Sequence, residues 1–142
     1  MRLYLDTSAV LRAEVERDLK LRRTLAEATQ LFACRLLHVE AARALRRLER
    51  EHPRRQIALQ SAREGIAITL ASCLVVELDK KILARAQLDF PIEPVRSLDA
   101  IHLAAALWWR EQLGATGEAL IFASTDDRLR ANAAALGFAL IP

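Results

Sequence analysis

Four acidic residues carry most of the chemical information in this chain. Asp6, Asp99 and Asp126 each lie where an apolar run gives way to a predicted helix, and Glu40 lies near the start of another. Their surroundings read Leu5-Asp6-Thr7-Ser8, Ser97-Leu98-Asp99-Ala100 and Ser124-Thr125-Asp126-Asp127. In a fold that alternates strand and helix, strand ends of one sense gather on one edge of the sheet, and ligand sites form beyond them. Two carboxylates about 4 Å apart repel by about 4 kcal/mol at an effective dielectric near 20. Four brought together would be partly protonated unless a cation offset them. Magnesium or manganese suits an all-oxygen set, so the chemistry expected is metal-dependent phosphoryl transfer.

Each residue also has an ordinary reading. Aspartate at a helix start accepts backbone N–H bonds and favours the positive end of the helix dipole. Glu40 is spaced to pair with Arg43 one turn on. Ser8, Ser124 and Thr125 carry hydroxyls that could orient a water or a phosphate oxygen, or could simply cap helices. Asp99 and His102 share a helical face, as in di-iron carboxylate sites, but the second Glu-x-x-His such sites need is absent. His102 is therefore read as a core residue or one that supports a ligand.

The elements that must position these groups follow from periodicity. Leu3 to Leu5 reads as a buried strand, with a helix starting at Asp6-Thr7-Ser8 and running through Arg12. A charged helix is expected over 16–28, a strand over 30–34 and an amphipathic helix over 36–50, ended at His52-Pro53. Further on come a helix over 54–70, a strand over 72–76, a short helix over 79–88 and a loop over 90–94. Ser97 is expected to cap an apolar helix reaching Gln112, stopped by Gly114 and Gly117. A strand over 119–123, a helix over 126–136 and a strand over 138–141 complete the chain. Short, wholly apolar strands alternating with helices belong to a parallel sheet covered on both faces.

The chain has 142 residues, which fits a single domain over 1–142. Its hydrophobic content of 53% argues against disorder. Eighteen of the twenty-one basic residues are arginine, a residue that forks onto phosphate, so RNA or an acidic protein is the partner the surface suits. The basic positions group into Arg17, Lys20, Arg22 and Arg23, and into Arg43, Arg46, Arg47, Arg50, Arg54 and Arg55. Seven aromatic residues leave no evident base-stacking platform, and Trp108 and Trp109 read as core or dimer contacts. Cys34 and Cys73 form no CxxC and imply a reducing compartment with both thiols buried. Asp6 interrupts the first apolar stretch, and the uncharged run 65–76, which no other run exceeds, is too short to span a bilayer. A cytoplasmic protein is expected.

Taken together, these segments resemble a PIN domain, specifically the small toxin ribonucleases of the VapC type. The matching stretches are Leu5-Asp6-Thr7-Ser8-Ala9, Val39 through Leu45, Arg96 through Ala104, and Thr125-Asp126-Asp127-Arg128-Leu129 followed by Ala133-Ala134-Ala135-Leu136-Gly137. The resemblance implies a three-layer α/β/α sandwich around a mainly parallel sheet, with Asp6, Glu40, Asp99 and Asp126 as an acidic quartet. It also implies Mg²⁺- or Mn²⁺-dependent cleavage of RNA by metal-activated water, a homodimer, and a cognate antitoxin that blocks the site, with the helices between Glu14 and Leu70 offering a groove for it. Two departures stand out. The family often has serine or threonine where Cys34 stands, and threonine where Ser124 stands. A register shift of one residue would make Asp127 the fourth acid. Two other readings stay open: a non-catalytic RNA- or protein-binding module, and a phosphatase using Asp6 as nucleophile. The latter chemistry wants a second aspartate at position 8, which is serine.

Overall fold

A computed structural model describes residues 1–114 and 117–141. Within them the chain forms β1 (Arg2–Leu5), α1 (Thr7–Glu14), α2 (Leu19–Glu27), β2 (Gln30–Cys34), α3 (Leu36–Glu51), α4 (Gln56–Ala71), β3 (Cys73–Val76), α5 (Lys80–Ala86), α6 (Ser97–Leu113), β4 (Leu120–Ala123), α7 (Asp127–Ala135) and β5 (Ala139–Leu140). The five strands make one sheet in the order β3-β2-β1-β4-β5. Every pairing is parallel, so the sheet is wholly rather than mainly parallel.

Alternation along the strands builds the layers, because successive side chains leave a strand on opposite faces. Leu3, Leu5, Leu31 and Ala33 pack with Val10, Leu21, Leu25, Leu37, Leu45 and Ile66, so α1 to α4 cover one face. Tyr4, Phe32 and Phe122 pack with Ile82, Leu103 and Leu129, so α5 to α7 cover the other. Ala100, Ala104, Ala105 and Ala106 give α6 a small-residue surface against the sheet. The result is the expected α/β/α sandwich.

Several boundaries depart from the sequence reading for local reasons. α2 starts at Leu19, not at 16, because the Asp18 side chain accepts from the Leu21 amide and caps the helix there. Arg17 just before it has φ of 58°, which interrupts any helix from α1. Pro53–Arg55 forms a single 3₁₀ turn before α4, consistent with proline at a helical first position. Ser97 does not cap α6; it is the first helical residue, and the extended Arg96 before it makes no side-chain cap bond. β5 is confined to two residues, since Gly137 at φ 85° turns the chain and the Phe138 amide still bonds back to Ala133. Cys73 is only half-buried, unlike Cys34, and both thiols are free.

The strand order fixes where a site can form. From β1 the chain winds out through β2 to β3, then returns to pair β4 on β1's other side. The carboxyl ends of β1 and β4 therefore flank a topological switch point, where open α/β sheets bind ligands.

Candidate active site

All four sequence-selected acids lie at the carboxyl edge of the sheet. Asp6 directly follows β1, and its amide bonds to the Ala123 carbonyl at the end of β4. Asp126 follows β4 and caps α7, its Oδ1 accepting from the amides of Arg128 and Leu129. α3 leaves the end of β2 and carries Glu40 in its second turn. Asp99 is in the first turn of α6. The segment before α6 is a loop rather than a strand end, so Asp99 reaches the edge by helix placement alone.

The carboxylates are held one oxygen at a time. Asp6 is buried, and its Oδ2 accepts from the hydroxyls of Ser8 at 2.5 Å and Ser124 at 2.8 Å. Those two hydroxyls are 3.1 Å apart, and they also accept from the amides of Thr125 and Asp126. Glu40 Oε2 accepts from Thr7 Oγ1 at 2.5 Å and bonds to His102 Nε2 at 2.7 Å. Glu40 thus pairs with an imidazole from α6, and the pairing with Arg43 suggested by spacing does not occur among the described salt bridges. Among the described hydrogen bonds, Asp6 Oδ1, Glu40 Oε1, Asp126 Oδ2 and both oxygens of Asp99 have no protein partner.

Electrostatics tie the set together. Asp99 is raised above the usual carboxylate value, first by burial and then by the charge of Asp126, with a smaller push from Asp6 and relief from Arg96. Burial favours a neutral Glu40, but its bonds to His102 and Thr7 outweigh that and hold it below the usual value. Burial also opposes a charge on His102, yet hydrogen bonds to Cys34 and Glu40, with the charges of Cys34 and Asp6, push it up to about 10. Asp99 thus senses the charges of Asp126 and Asp6, while Glu40 is held by the His102 imidazole and the Thr7 hydroxyl.

Asp126, not Asp127, is the acid that faces the others. Asp127 is exposed, whereas Asp126 is half-buried and contributes to the shift of Asp99. Ser8, where a phosphatase would need its second aspartate, is bonded to Asp6 instead.

The sequence reading passed over two residues. Tyr4 donates no obvious chemistry in an apolar strand, yet its hydroxyl lies 3.1 Å from His102 Nδ1. Thr7 was read only as part of a helix start, yet it is buried and bonds Glu40. A hydroxyl-bearing ring at an inward strand position two residues before the candidate acid Asp6 is the available signal. Trp109 donates from Nε1 to the Ala33 carbonyl and packs on Phe32, which makes it part of the interior.

A surface cavity of about 590 Å³ lies at the opposite edge of the sheet beside Leu113, Glu118 and Ala139. It contains none of the four acids. Among the described residues no three His, Cys, Asp or Glu side chains form a ready-made metal cage. The fit to a cation rests instead on donor chemistry: hard carboxylate oxygens, each without a partner among the described hydrogen bonds, although Asp6 Oδ1 lies 3.6 Å from His102 Nε2.

This geometry can be set beside known proteins. The PIN domain family model matches residues 3–135. The chain belongs to the PIN domain family. No curated protein matches it. Among solved structures, PAE2754 from Pyrobaculum aerophilum superposes with a TM-score of 0.59 at 17% identity, covering 99% of this chain and 83% of that one. At that identity the likeness speaks for the fold alone. PIN domains are commonly metal-dependent nucleases, and in this PIN domain no described helix is long and apolar enough to cross a membrane.

Proposed function

We propose that this PIN domain is a Mg²⁺- or Mn²⁺-dependent endoribonuclease, acting in the cytoplasm as the toxin of a toxin–antitoxin pair and working as a homodimer. One observation carries the reading. Carboxylates from the ends of β1 and β4 and from the first turn of α6 share the switch-point edge, and Asp99 is raised by burial and then by the charges of Asp126 and Asp6. That cost to a cation-free protein is what a cation-binding site is expected to carry.

Asp6, Asp99 and Asp126 would hold the cation, with Glu40 completing its surroundings. A divalent cation bound there supplies activation of a water nucleophile and offsets charge building on the phosphate oxygens. The chain's own residues do the rest. Ser8 and Ser124 fix the plane of the Asp6 carboxylate. His102 and Thr7 fix Glu40. Arg43 and Arg47 lie on the Glu40 face of α3, three and seven residues on, and are exposed, so they can meet the phosphates on either side of the cut. Water as the nucleophile leaves a 5′-phosphate end.

The test is cleavage of RNA by purified protein stripped with chelator. Activity should return with Mg²⁺ or Mn²⁺, vanish in Asp6→Asn, and yield 5′-phosphate ends. Products ending in 2′,3′-cyclic phosphate would refute the scheme.

A further inference from the structure

His102 is the one imidazole in the interior, 1% exposed, and its described polar contacts come from the site acids, Thr7, and Tyr4 and Cys34 of β1 and β2. Its Nε2 lies 2.7 Å from Glu40 Oε2, 3.5 Å from Thr7 Oγ1 and 3.6 Å from Asp6 Oδ1. Its Nδ1 faces the Tyr4 hydroxyl at 3.1 Å and Cys34 Sγ at 3.7 Å. The ring stands edge-on to Tyr4, with 76° between their planes. β1, α1, β2 and α3 thus each place a polar group against a single buried ring carried by α6.

We infer that His102 is the positioning residue for Glu40, committing Oε2 to the protein interior so that only Oε1 is presented to the cation and substrate. The inference rests on the nuclease reading for what Oε1 meets, but not for the arrangement itself. A carboxylate is acceptor-only, so the 2.7 Å contact requires a proton on Nε2, whether the ring is neutral or charged. Nδ1 meets the Tyr4 oxygen in either form of the ring: a charged ring donates from Nδ1 to the hydroxyl, and a neutral ring with its proton on Nε2 accepts from the Tyr4 O–H. Thr7 supplies a second donor to the same Oε2. With two donors on one oxygen and none described on the other, the carboxylate cannot turn over without losing both. Tyr4, His102 and Glu40 then form a chain running from the core to the surface of the site, the arrangement by which supporting hydrogen bonds orient a ligand.

Two experiments test this. In ¹⁵N NMR of the wild-type, cation-free protein, the His102 ring should carry a slowly exchanging proton on Nε2. A proton on Nδ1 alone would overturn the inference, and this readout needs neither activity nor a mutation. The second is a double-mutant cycle on Mn²⁺ affinity by calorimetry, run beside RNA kinetics. His102→Leu should weaken Mn²⁺ binding and lower kcat, each about tenfold or more, with KM for RNA unchanged. His102→Gln, which keeps an N–H donor, should recover most of both. In an Glu40→Gln background, His102→Leu should add nothing further, because its role runs through Glu40. Additive losses, or a His102→Leu protein with wild-type Mn²⁺ affinity, would overturn the inference. Should His102→Leu fail to fold, the NMR result and His102→Gln decide. A wild-type protein that cleaves no RNA would sink the nuclease reading while leaving the NMR result to stand or fall by itself.

Discussion

The Ser124 hydroxyl, at the end of β4, donates to Asp6 Oδ2 at 2.8 Å, joining residues from neighbouring parallel strands across the switch point. Ser124 is fully buried, and Arg130 Nη1 donates to its carbonyl and to that of Ile141. Asp6 is therefore aimed from the end of β4 as well as from its own helix start, where Ser8 bonds the same oxygen. Ser124→Ala leaves the strand intact and removes one of the two hydroxyls on Oδ2. It should lower activity by about tenfold to a hundredfold and stability by about 1 kcal/mol. Urea denaturation and single-turnover RNA cleavage check both. Unchanged activity would show that Ser8 alone suffices.

Asp99 offers a sharper separation of stability from function. Its ionisation is disfavoured by burial and by the charges of Asp126 and Asp6. A carboxyl raised in the folded state makes that state bind a proton more readily, so its ionised form costs stability as pH rises above the usual carboxylate range. Asp99→Asn removes the cost. At pH 7 without divalent cation the variant should be more stable than wild type by a few tenths to about 1 kcal/mol, allowing for solvent screening of a half-buried group. The difference should shrink on lowering pH toward 4, and RNA cleavage should be abolished throughout. A destabilised Asp99→Asn would mean that the carboxylate makes a favourable contact in the folded protein.

Much of this was readable beforehand, and what was not has physical causes. Wholly apolar strands and helical spacing predict a parallel sandwich because burial on both faces leaves no other pattern. Asp6 and Asp126 were legible because strand ends of one sense must share an edge. Asp99 reaches the edge by a route the apolar runs do not show: a loop precedes α6, and the helix's placement, not a strand end, brings it there. Of the two readings open for Glu40, the ordinary one fails: spacing along a helix nominates Arg43, while α6 packed beside α3 and the sheet delivers His102. Contacts between residues 62 apart in sequence are invisible to periodicity. The start of α2 was misjudged because Asp18 competes locally as a cap, a choice that helical periodicity does not encode.

The two basic stretches of the sequence are not equivalent. In the first, Arg22 is paired with Glu14 at 3.6 Å and Arg23 with Glu27 at 2.7 Å. In the second, Arg43 and Arg47 are exposed, have no ion-pair partner among the described salt bridges, and continue the face of α3 that bears Glu40. Arg43→Gln with Arg47→Gln should therefore weaken RNA binding and flatten its salt dependence, by about 0.7 in log–log slope for each lost phosphate contact with single-stranded RNA. Arg23→Gln should leave the slope unchanged. Titrations of an Asp6→Asn protein with labelled RNA over a range of salt would measure this without cleavage. Equal effects from both stretches would return the arginines to the role of a solvated surface.

Cys73 gives a pH dependence independent of the acidic site. Burial alone pushes its thiol up to about 11, and its Sγ donates to the Thr69 carbonyl at 3.2 Å. The thiolate is the reactive form, so a raised pKa makes a half-exposed cysteine sluggish at neutral pH. Alkylation by iodoacetamide should be slow at pH 8 and accelerate by about tenfold per pH unit until it levels off near 11, as the thiolate fraction grows. The fully buried Cys34 should stay unmodified over the range in which the protein remains folded. Mass spectrometry of the two cysteine peptides against pH separates them. A Cys73 rate that levels off near 8.5 would show that the end of α4 opens readily enough to expose the thiol to water.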